Sequence, residues 1–541
     1  MKHIFSRLVV MLLCATGFLQ SAERPRLVIF ISIDQMKAEY LDWYKSEFTA
    51  GLKQLCSKGT VFTNADLNHA PSETGPGHAS LGTGSYPKRS GIIGNEWIDR
   101  QTGEEIYCVS DPGAGTVEGI GGGSSPKNLL VTGLGDWIKA ASPASKVYAV
   151  SVKDRGAILI GGQRPDGAFW YDRKTGQMVT SSYYMRELPP WMRSFNAKDW
   201  VAHNVPDAWE KLVADSVYTK YGPDDMVGET MWSGSRIFPH RFIPEKKKEQ
   251  VIDSPYGDVM VLDFAREIVR SEKLGRKAVT DVLFVSLSCT DYVGHDFGGN
   301  SHEIIDNLIR LDRSLGDFLL EMEKFVGKGN LLVALSGDHA AMPLPEYRTI
   351  VEKKSGRRVL VQNEIRPKIA DLNNRLQREL NTTEQIIISS AFLNYTAAAR
   401  AGVDSLSLER RIREGVSAID GIAGIFFKRE LVAGNGKNQR ALEYYRRGYN
   451  PTRGKDFQIL PCEYCLFTSS PTGTSHGTPY RYDTHLPIVF WGTGVRAQKV
   501  SRVVHTVDIA PTIAKVLGIA TPSAIDGKVL KEIVQLQPRT F

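Results

Sequence analysis

The sequence predicts an α/β fold: a mostly parallel sheet packed between helices, interrupted by inserted cap or rim regions. Two observations carry this expectation. Four short apolar runs, Leu27–Ile33, Val282–Leu287, Leu331–Leu335 and Leu486–Trp491, have the length and β-branched character of strands buried on both faces of a parallel sheet. Each run also lies near carboxylates or imidazoles: Asp34 after the first, Asp291 and His295 after the second, Asp338 and His339 after the third. His476 stands ten residues before the fourth. In open α/β sheets the chemistry collects outside the carboxyl ends of strands. Groups far apart in sequence are therefore expected on one rim, a pattern that points to a metal-assisted hydrolase.

At 541 residues the chain exceeds one minimal core, and one large α/β domain with insertions is expected. Lys2 and Arg7 precede the apolar stretch Leu8–Leu13, and Ser21-Ala22 offers a small-residue cleavage site, so residues 1–22 read as a secretory signal peptide. Leu12-Leu13 before Cys14 is a poor lipoprotein box. No later segment has the length of a membrane span, and the mature protein is expected to be periplasmic or secreted, and a monomer. Core blocks are expected at 23–170, 251–345 and 476–541. Residues 171–250, rich in Trp, Tyr, Arg and Pro, and the charged, helix-prone 346–475 read as insertions that cap or rim the site.

Along the chain, Lys146–Val152 reads as a strand and Ile304–Val326 as an amphipathic helix covering the sheet, from Ile305, Leu308, Leu311, Leu315, Phe318 and Leu319. Helices are expected at Glu364–Leu380 and Ser405–Val416, with a strand at Gln385–Ser389. Thr506–Leu517, with capping candidates Thr506 and Asp508, reads as a closing helix.

A hydrophobic share of 42% and a charged share of 23% are those of an ordinary globular protein, and the net charge of +7 is mildly basic. Lys246–Lys248, Lys353-Lys354 and Arg357-Arg358 are broken clusters without aromatic interleaving, which argues against nucleic acid as a specific partner. Beyond Cys14 the cysteines are Cys56, Cys108, Cys289, Cys462 and Cys465, an odd number. Cys462 and Cys465 form a lone CxxC, read as a local disulfide in an exported chain rather than a zinc or redox motif. Cys289, placed on a core strand, is expected to pack as a small hydrophobe.

The chemistry starts at Thr74, where Gly and Pro cluster before an apparent helix start. A hydroxyl there faces free amide donors that suit an anion, and metal coordination would make this weak nucleophile competent. Asp34, Asp338 and His339 suit one zinc, and Asp291, His295 and His476 a second with open positions. Asp291 and His295 face one way if Gly294 begins a helical turn. Single histidines are commonly structural; six candidates behind separate strand ends are a stronger signal.

Thr74-Gly-Pro-Gly-His78, Gly91-Ile-Ile-Gly-Asn95, Asp291-x-x-x-His295, Gly337-Asp338-His339, His476-Gly-Thr and Thr506–Thr512 together resemble the alkaline phosphatase superfamily. The nearest branch is the PafA-type bacterial periplasmic alkaline phosphatases, related to nucleotide pyrophosphatase/phosphodiesterases. The resemblance implies an alkaline-phosphatase-like core and two zinc ions, one held by Asp34, Thr74, Asp338 and His339, the other by Asp291, His295 and His476. It makes Thr74 the nucleophile of a phosphothreonine intermediate, with no third metal. It matches Asn95, Lys153 and Arg155 to the groups that bind phosphate oxygens. Lys153 and Arg155, at i and i+2 on an extended segment, would project to one side and clamp a dianionic phosphoryl group.

His78 is expected in helix packing or behind the ligands, and His302, His485 and His505 in structural roles. Gly82, Gly84 and Gly91 are expected to serve turns. Glu73, a carboxylate beside the nucleophile, is expected to point away from the metals. The expected activity is hydrolysis of small-molecule phosphate monoesters, releasing phosphate. The alternative is a phosphodiesterase or nucleotide pyrophosphatase on the same scaffold. A sulfatase is disfavoured for want of a Cys/Ser-x-Pro-x-Arg motif.

Overall fold

The computed structural model describes residues 24–388, 392–433 and 439–534. The signal segment 1–22 and the last residue of the Gln385–Ser389 strand candidate lie outside them; Ile387–Ile388 is a strand. The β-branched run at the start forms β1 (Leu27–Ile33), every residue of which is buried. The other strands of its 11-stranded sheet are β2 (Thr60–Asp66), β3 (Thr116–Val117), β4 (Val147–Ser151), β5 (Gly167–Asp172), β6 (Gln177–Ser181), β7 (Asp281–Leu287), β8 (Leu331–Ser336), β9 (His485–Gly492), β10 (Gln498–Val500) and β11 (Val504–His505). Their order is β10-β2-β9-β8-β1-β7-β4-β5-β6-β3, with β11 beside β2. The centre, β8-β1-β7-β4-β5, is parallel, with Leu27 level with Asp281 on one side and Leu331 on the other.

The sheet is mixed, and this corrects one strand. Leu486–Trp491 lies in β9, antiparallel to β8. The reversal explains the position of His476. A residue that precedes an antiparallel strand reaches the same rim as residues that follow the parallel ones. The sheet also continues past residue 170: β5 straddles that boundary and β6 pairs with it, taking in the start of the stretch read as an insertion.

Side chains alternate across the sheet. Leu27, Ile29, Ile31 and Ile33 pack with helices that include Tyr256–Glu272 and His302–Val326. Val28 and Phe30 face the other layer: α1 (Thr74–Thr83), α2 (Leu134–Ala141), α3 (Asp154–Gly161) and, farther along, Ile509–Val516. Each such aliphatic side chain contributes about 1.5–3 kcal/mol by leaving water. The amphipathic helix begins two residues before its expected start, where the Ser301 hydroxyl accepts from Ile304 N at 3.2 Å. Gly82 is no turn residue: it lies within α1, where a Cβ would stand 2.6 Å from Ile160 O, so its small size lets α1 and α3 touch. Gly84 and Gly91 do take left-handed φ values, +62° and +79°.

Between residues 346 and 475, helices Arg366–Glu379 and Ser405–Ser417 pack on the antiparallel pair Ile422–Phe427 and Phe457–Pro461 with a core of their own. Arg357–Leu360 pairs with Cys465–Thr468 beneath it, and Cys462 and Cys465 are joined by a disulfide.

Candidate active site

All the sequence-singled ligand candidates meet at the carboxyl rim. Asp34 leaves β1 with its N–H on Leu287 O at 2.8 Å. Asp338 and His339 follow β8. Asp291 and His295 sit one turn apart on α4 (Cys289–Phe297), the helix that leaves β7. Cys289 is thus the buried first residue of a helix and not part of a strand. Gly294 does not begin the turn but lies inside the helix, where a Cβ would stand 2.0 Å from the Gln35 amide oxygen. Thr74 is the first residue of α1, after Glu73 in an extended conformation; the row of free amide donors expected there is reduced, because Gly75 N and Gly77 N donate to Asn95 Oδ1 and Glu73 O and Pro76 has no N–H. Thr74 is 1% exposed, and its Oγ1 lies 3.5 Å from His339 Nε2.

Ligand atoms of Asp34, Asp338 and His339 lie within 4.8 Å of one another, as do those of Asp291, His339 and His476. His339 therefore borders both groups, where the sequence placed it in one. His295 Nε2 completes the second at 3.2 Å from Asp291 Oδ1 and 3.2 Å from His476 Nε2. The rings of His339 and His476 stack with centroids 3.7 Å apart.

The donor set fits divalent cations. His295 Nδ1 faces Thr474 O at 2.8 Å and His476 Nδ1 faces Ser72 O at 2.6 Å. A carbonyl can only accept, so both rings carry their proton on Nδ1 and turn an Nε2 lone pair toward each other and toward Asp291. Such backbone contacts fix metal-binding imidazoles. Asp34 Oδ1 is buried without a hydrogen-bond partner, a costly state for a carboxylate unless a cation is near. Three buried carboxylates converge here with the His295 and His476 lone pairs, and Lys153 and His339 are the positive charges the chain itself sets among them.

The titration shifts reflect the same demand. Burial and Asp291 push Asp34 up, but Lys153 and His339 outweigh them and hold it below the carboxylate range. Burial likewise opposes ionisation of Asp291, and Lys153 and His295 reverse it. Burial would lower His339; Asp338 and Asp34 raise it to about 10. Burial, with His339 and His295 nearby, keeps His476 neutral.

Lys153 Nζ bridges the two groups, 2.6 Å from Asp34 Oδ2 and 2.5 Å from Asp291 Oδ2. The one-sided Lys–Arg pair on an extended segment is not what forms. β4 ends at Ser151, Lys153 is the extended cap of α3, and Arg155 already lies in its first turn. Asp154 in that turn suits the helix dipole, and a Cβ at Gly156 would stand 2.8 Å from the Ser151 and Ser286 hydroxyl oxygens, so glycine lets α3 pack against them. Arg155 instead donates to Tyr107 Oη at 3.4 Å, its buried Nε without a partner.

Asn95 accepts from Gly75 N at 2.8 Å through Oδ1, which leaves its amide N–H groups for another acceptor. Glu73 is explained by the same loop: its carboxylate accepts from Asn95 N at 2.7 Å. His78 works behind the ligands, with Nδ1 2.9 Å from Thr74 O and 3.1 Å from Asp338 Oδ2, and Nε2 2.8 Å from Ser286 Oγ. His302 faces Gly222 O, His485 faces Glu39, and the His505 N–H donates to Asp508. Sequence reasoning missed Gln35. Its backbone is left-handed (φ 63°), its N–H donates to Asp338 Oδ1 at 3.2 Å, and its amide donates to Asp291 Oδ1 at 2.7 Å. One residue thus orients a carboxylate of each group. No residue pattern announces this, because a left-handed Gln is visible only in the backbone.

A mixed α/β sheet with these carboxylates and imidazoles on its rim defines a member of the alkaline phosphatase superfamily. The model of the type I phosphodiesterase / nucleotide pyrophosphatase family matches residues 28–391. The alkaline phosphatase PhoV of Synechococcus elongatus is 36% identical over 538 residues, 96% of this chain and 94% of that protein. A Myroides odoratus protein named calcium-transporting ATPase is 35% identical over 531 residues, 95% of this chain and 96% of that protein. The crystal structure of wild-type alkaline phosphatase PafA superposes with a TM-score of 0.88 at 31% identity, covering 95% of this chain and 100% of PafA. The chain belongs to the type I phosphodiesterase / nucleotide pyrophosphatase family, within its PafA-type alkaline phosphatase branch. No helix among the described residues is long and apolar enough to cross a membrane.

Proposed function

We propose that this chain is an exported zinc-dependent alkaline phosphatase that hydrolyses phosphate monoesters through a phosphothreonine at Thr74. Its family supports a phosphoric monoester hydrolase, and the observation that carries the detail is the convergence of Asp34, Asp291, His295, Asp338, His339 and His476 into two groups that share His339, whose Nε2 faces the Thr74 hydroxyl at 3.5 Å. Asp34, Thr74, Asp338 and His339 would hold one zinc, and Asp291, His295 and His476 the other. Bound there, the ions would supply Lewis-acid stabilisation of the attacking and leaving oxygens.

The chain's own residues do the rest. Thr74 Oγ attacks phosphorus, the bond to the alcohol breaks, and the phosphoryl group stays on Thr74 until water releases phosphate. The Thr74 N–H at the start of α1 is left for a transferring oxygen, since Gly75 N and Gly77 N are taken by Asn95 Oδ1 and Glu73 O, and the Asn95 amide, held by Gly75 and Glu73, donates to another. Lys153 and Arg155 supply the positive charge that a dianionic monoester requires and a monoanionic diester requires less. The segment 346–475 forms the rim over this site.

The family match to phosphodiesterases favours one second reading, a diesterase on the same site. Metal-replete protein is expected to have a higher kcat/KM on an aryl phosphate than on the matching bis-aryl phosphate. A higher value on the diester would replace the monoesterase reading.

A further inference from the structure

A cleft of about 630 Å³ opens directly beside the site. One wall is the rim itself, with His476, Glu73 and Thr478; the other belongs to the segment 346–475 and presents Ile369, Ile387, Ile459 and Phe467. The volume lies within the range of pockets that enclose drug-sized molecules, far more than a phosphate needs. Its charged groups are Glu73, Asp483 and Arg366. Glu73 accepts from Asn95 N, and Asp483 is buried with its Oδ2 accepting from Thr478 N and Oγ1 and its Oδ1 without a partner. Arg366 stands exposed at the first turn of its helix. The lining therefore offers more apolar than polar surface, with neutral amides of Asn374 and Gln458 among the aliphatic side chains, and no buried cation for a second phosphate.

We infer that this cleft is a leaving-group subsite and that the preferred substrates are phosphate monoesters of bulky, neutral, apolar alcohols. The inference rests on the monoesterase reading, with His476 marking the junction. An alcohol leaving the phosphorus past His476 enters the cleft and covers the half-buried Ile369, Ile459 and Phe467, whereas a short polar alcohol leaves them wet. Part of the binding energy so gained is available at the transition state.

The test compares alkyl esters of similar leaving-group reactivity: ethyl phosphate and 2-(2-naphthyl)ethyl phosphate, with zinc supplied. The naphthyl ester is expected to have the higher kcat/KM by about 30-fold or more, the effect of burying a bicyclic apolar group. Free 2-(2-naphthyl)ethanol is expected to compete with ethyl phosphate. Ala370 is exposed on the cleft's helix, so Ala370→Trp fills the space without disturbing a core. It is expected to bring the ratio to within about threefold of unity and to weaken inhibition by the alcohol. Equal kcat/KM values for the two esters, with no inhibition by the alcohol, would overturn the subsite and leave the phosphatase standing. Failure to hydrolyse either ester would overturn the phosphatase reading and the subsite with it.

Discussion

Gly77→Ala is the sharpest test of how the nucleophile helix is seated. A Cβ at Gly77 would lie 2.4 Å from Asp338 O and 2.8 Å from Asp338 Cβ, where ordinary contact begins at 3.4 Å. Both partners are main chain or close to it, so no side-chain rotation relieves the clash. The helix carrying Thr74 and the turn carrying Asp338 must separate by about 1 Å, and overpacking of this kind costs about 1–3 kcal/mol. A misplacement of about 1 Å between reacting groups can lower the rate by about 100-fold. The variant is therefore expected to fold, to melt a few degrees lower, and to lose about 100-fold in kcat/KM on an aryl phosphate. Steady-state kinetics with a thermal melt of the same sample give both numbers. Wild-type kcat/KM together with an unchanged melt would refute the close approach of α1 to Asp338 as the reason for glycine.

Three further outcomes follow from named contacts. Gln35→Leu removes the amide that orients Asp291 and is expected to weaken metal retention by about 10–100-fold, read as zinc content after dialysis against graded chelator; retention equal to wild type would deny Gln35 that role. Lys153→Ala combined with Arg155→Ala is expected to lower kcat/KM on a monoester at least about tenfold more than on a diester, through lost positive charge beside the phosphoryl group, and equal losses would deny the two cations that discrimination. Burial, with Glu303 nearby, lifts Glu229 from its ordinary 4.5 to about 9. The native protein thus keeps a proton that the unfolded chain sheds, and stability falls by about 1.4 kcal/mol per unit as pH rises from 4.5 toward 9. Glu229→Gln is expected to flatten that decline and raise the melting temperature at pH 9 but not at pH 4; equal shifts at both would refute the titration.

The parts of this protein legible in sequence are those with a repeating physical signature. β1, β7 and β8 are buried on both faces, so their apolar runs are unbroken, and the helix at His302–Val326 shows its 3.6-residue stripe plainly. Asp34, Asp338 and His339 were legible because they follow strand ends, and Thr74 and Asp291 because they stand in the first turn of a helix; His295 was legible from its four-residue spacing to Asp291. The direction of β9 was not, since a doubly buried antiparallel strand reads like a parallel one. The setting of Arg155 was missed because only Val152 and Lys153 separate the strand from the helix, too short a loop to announce the change. Glu73 acts through a hydrogen bond to a residue 22 positions away, and Gln35 through bonds to residues 303 and 256 positions away, distances across which side-chain periodicity carries no information.

The central claim is that the Thr74 hydroxyl takes the phosphoryl group. The direct measurement is mass spectrometry of peptides from zinc-loaded protein quenched in acid during turnover of an aryl phosphate. Phosphate on the Thr74 peptide is expected, absent from a Thr74→Ala variant that no longer turns over. A Thr74→Ala protein that hydrolyses the ester at the wild-type rate, with no phosphopeptide in the wild type, would contradict the account.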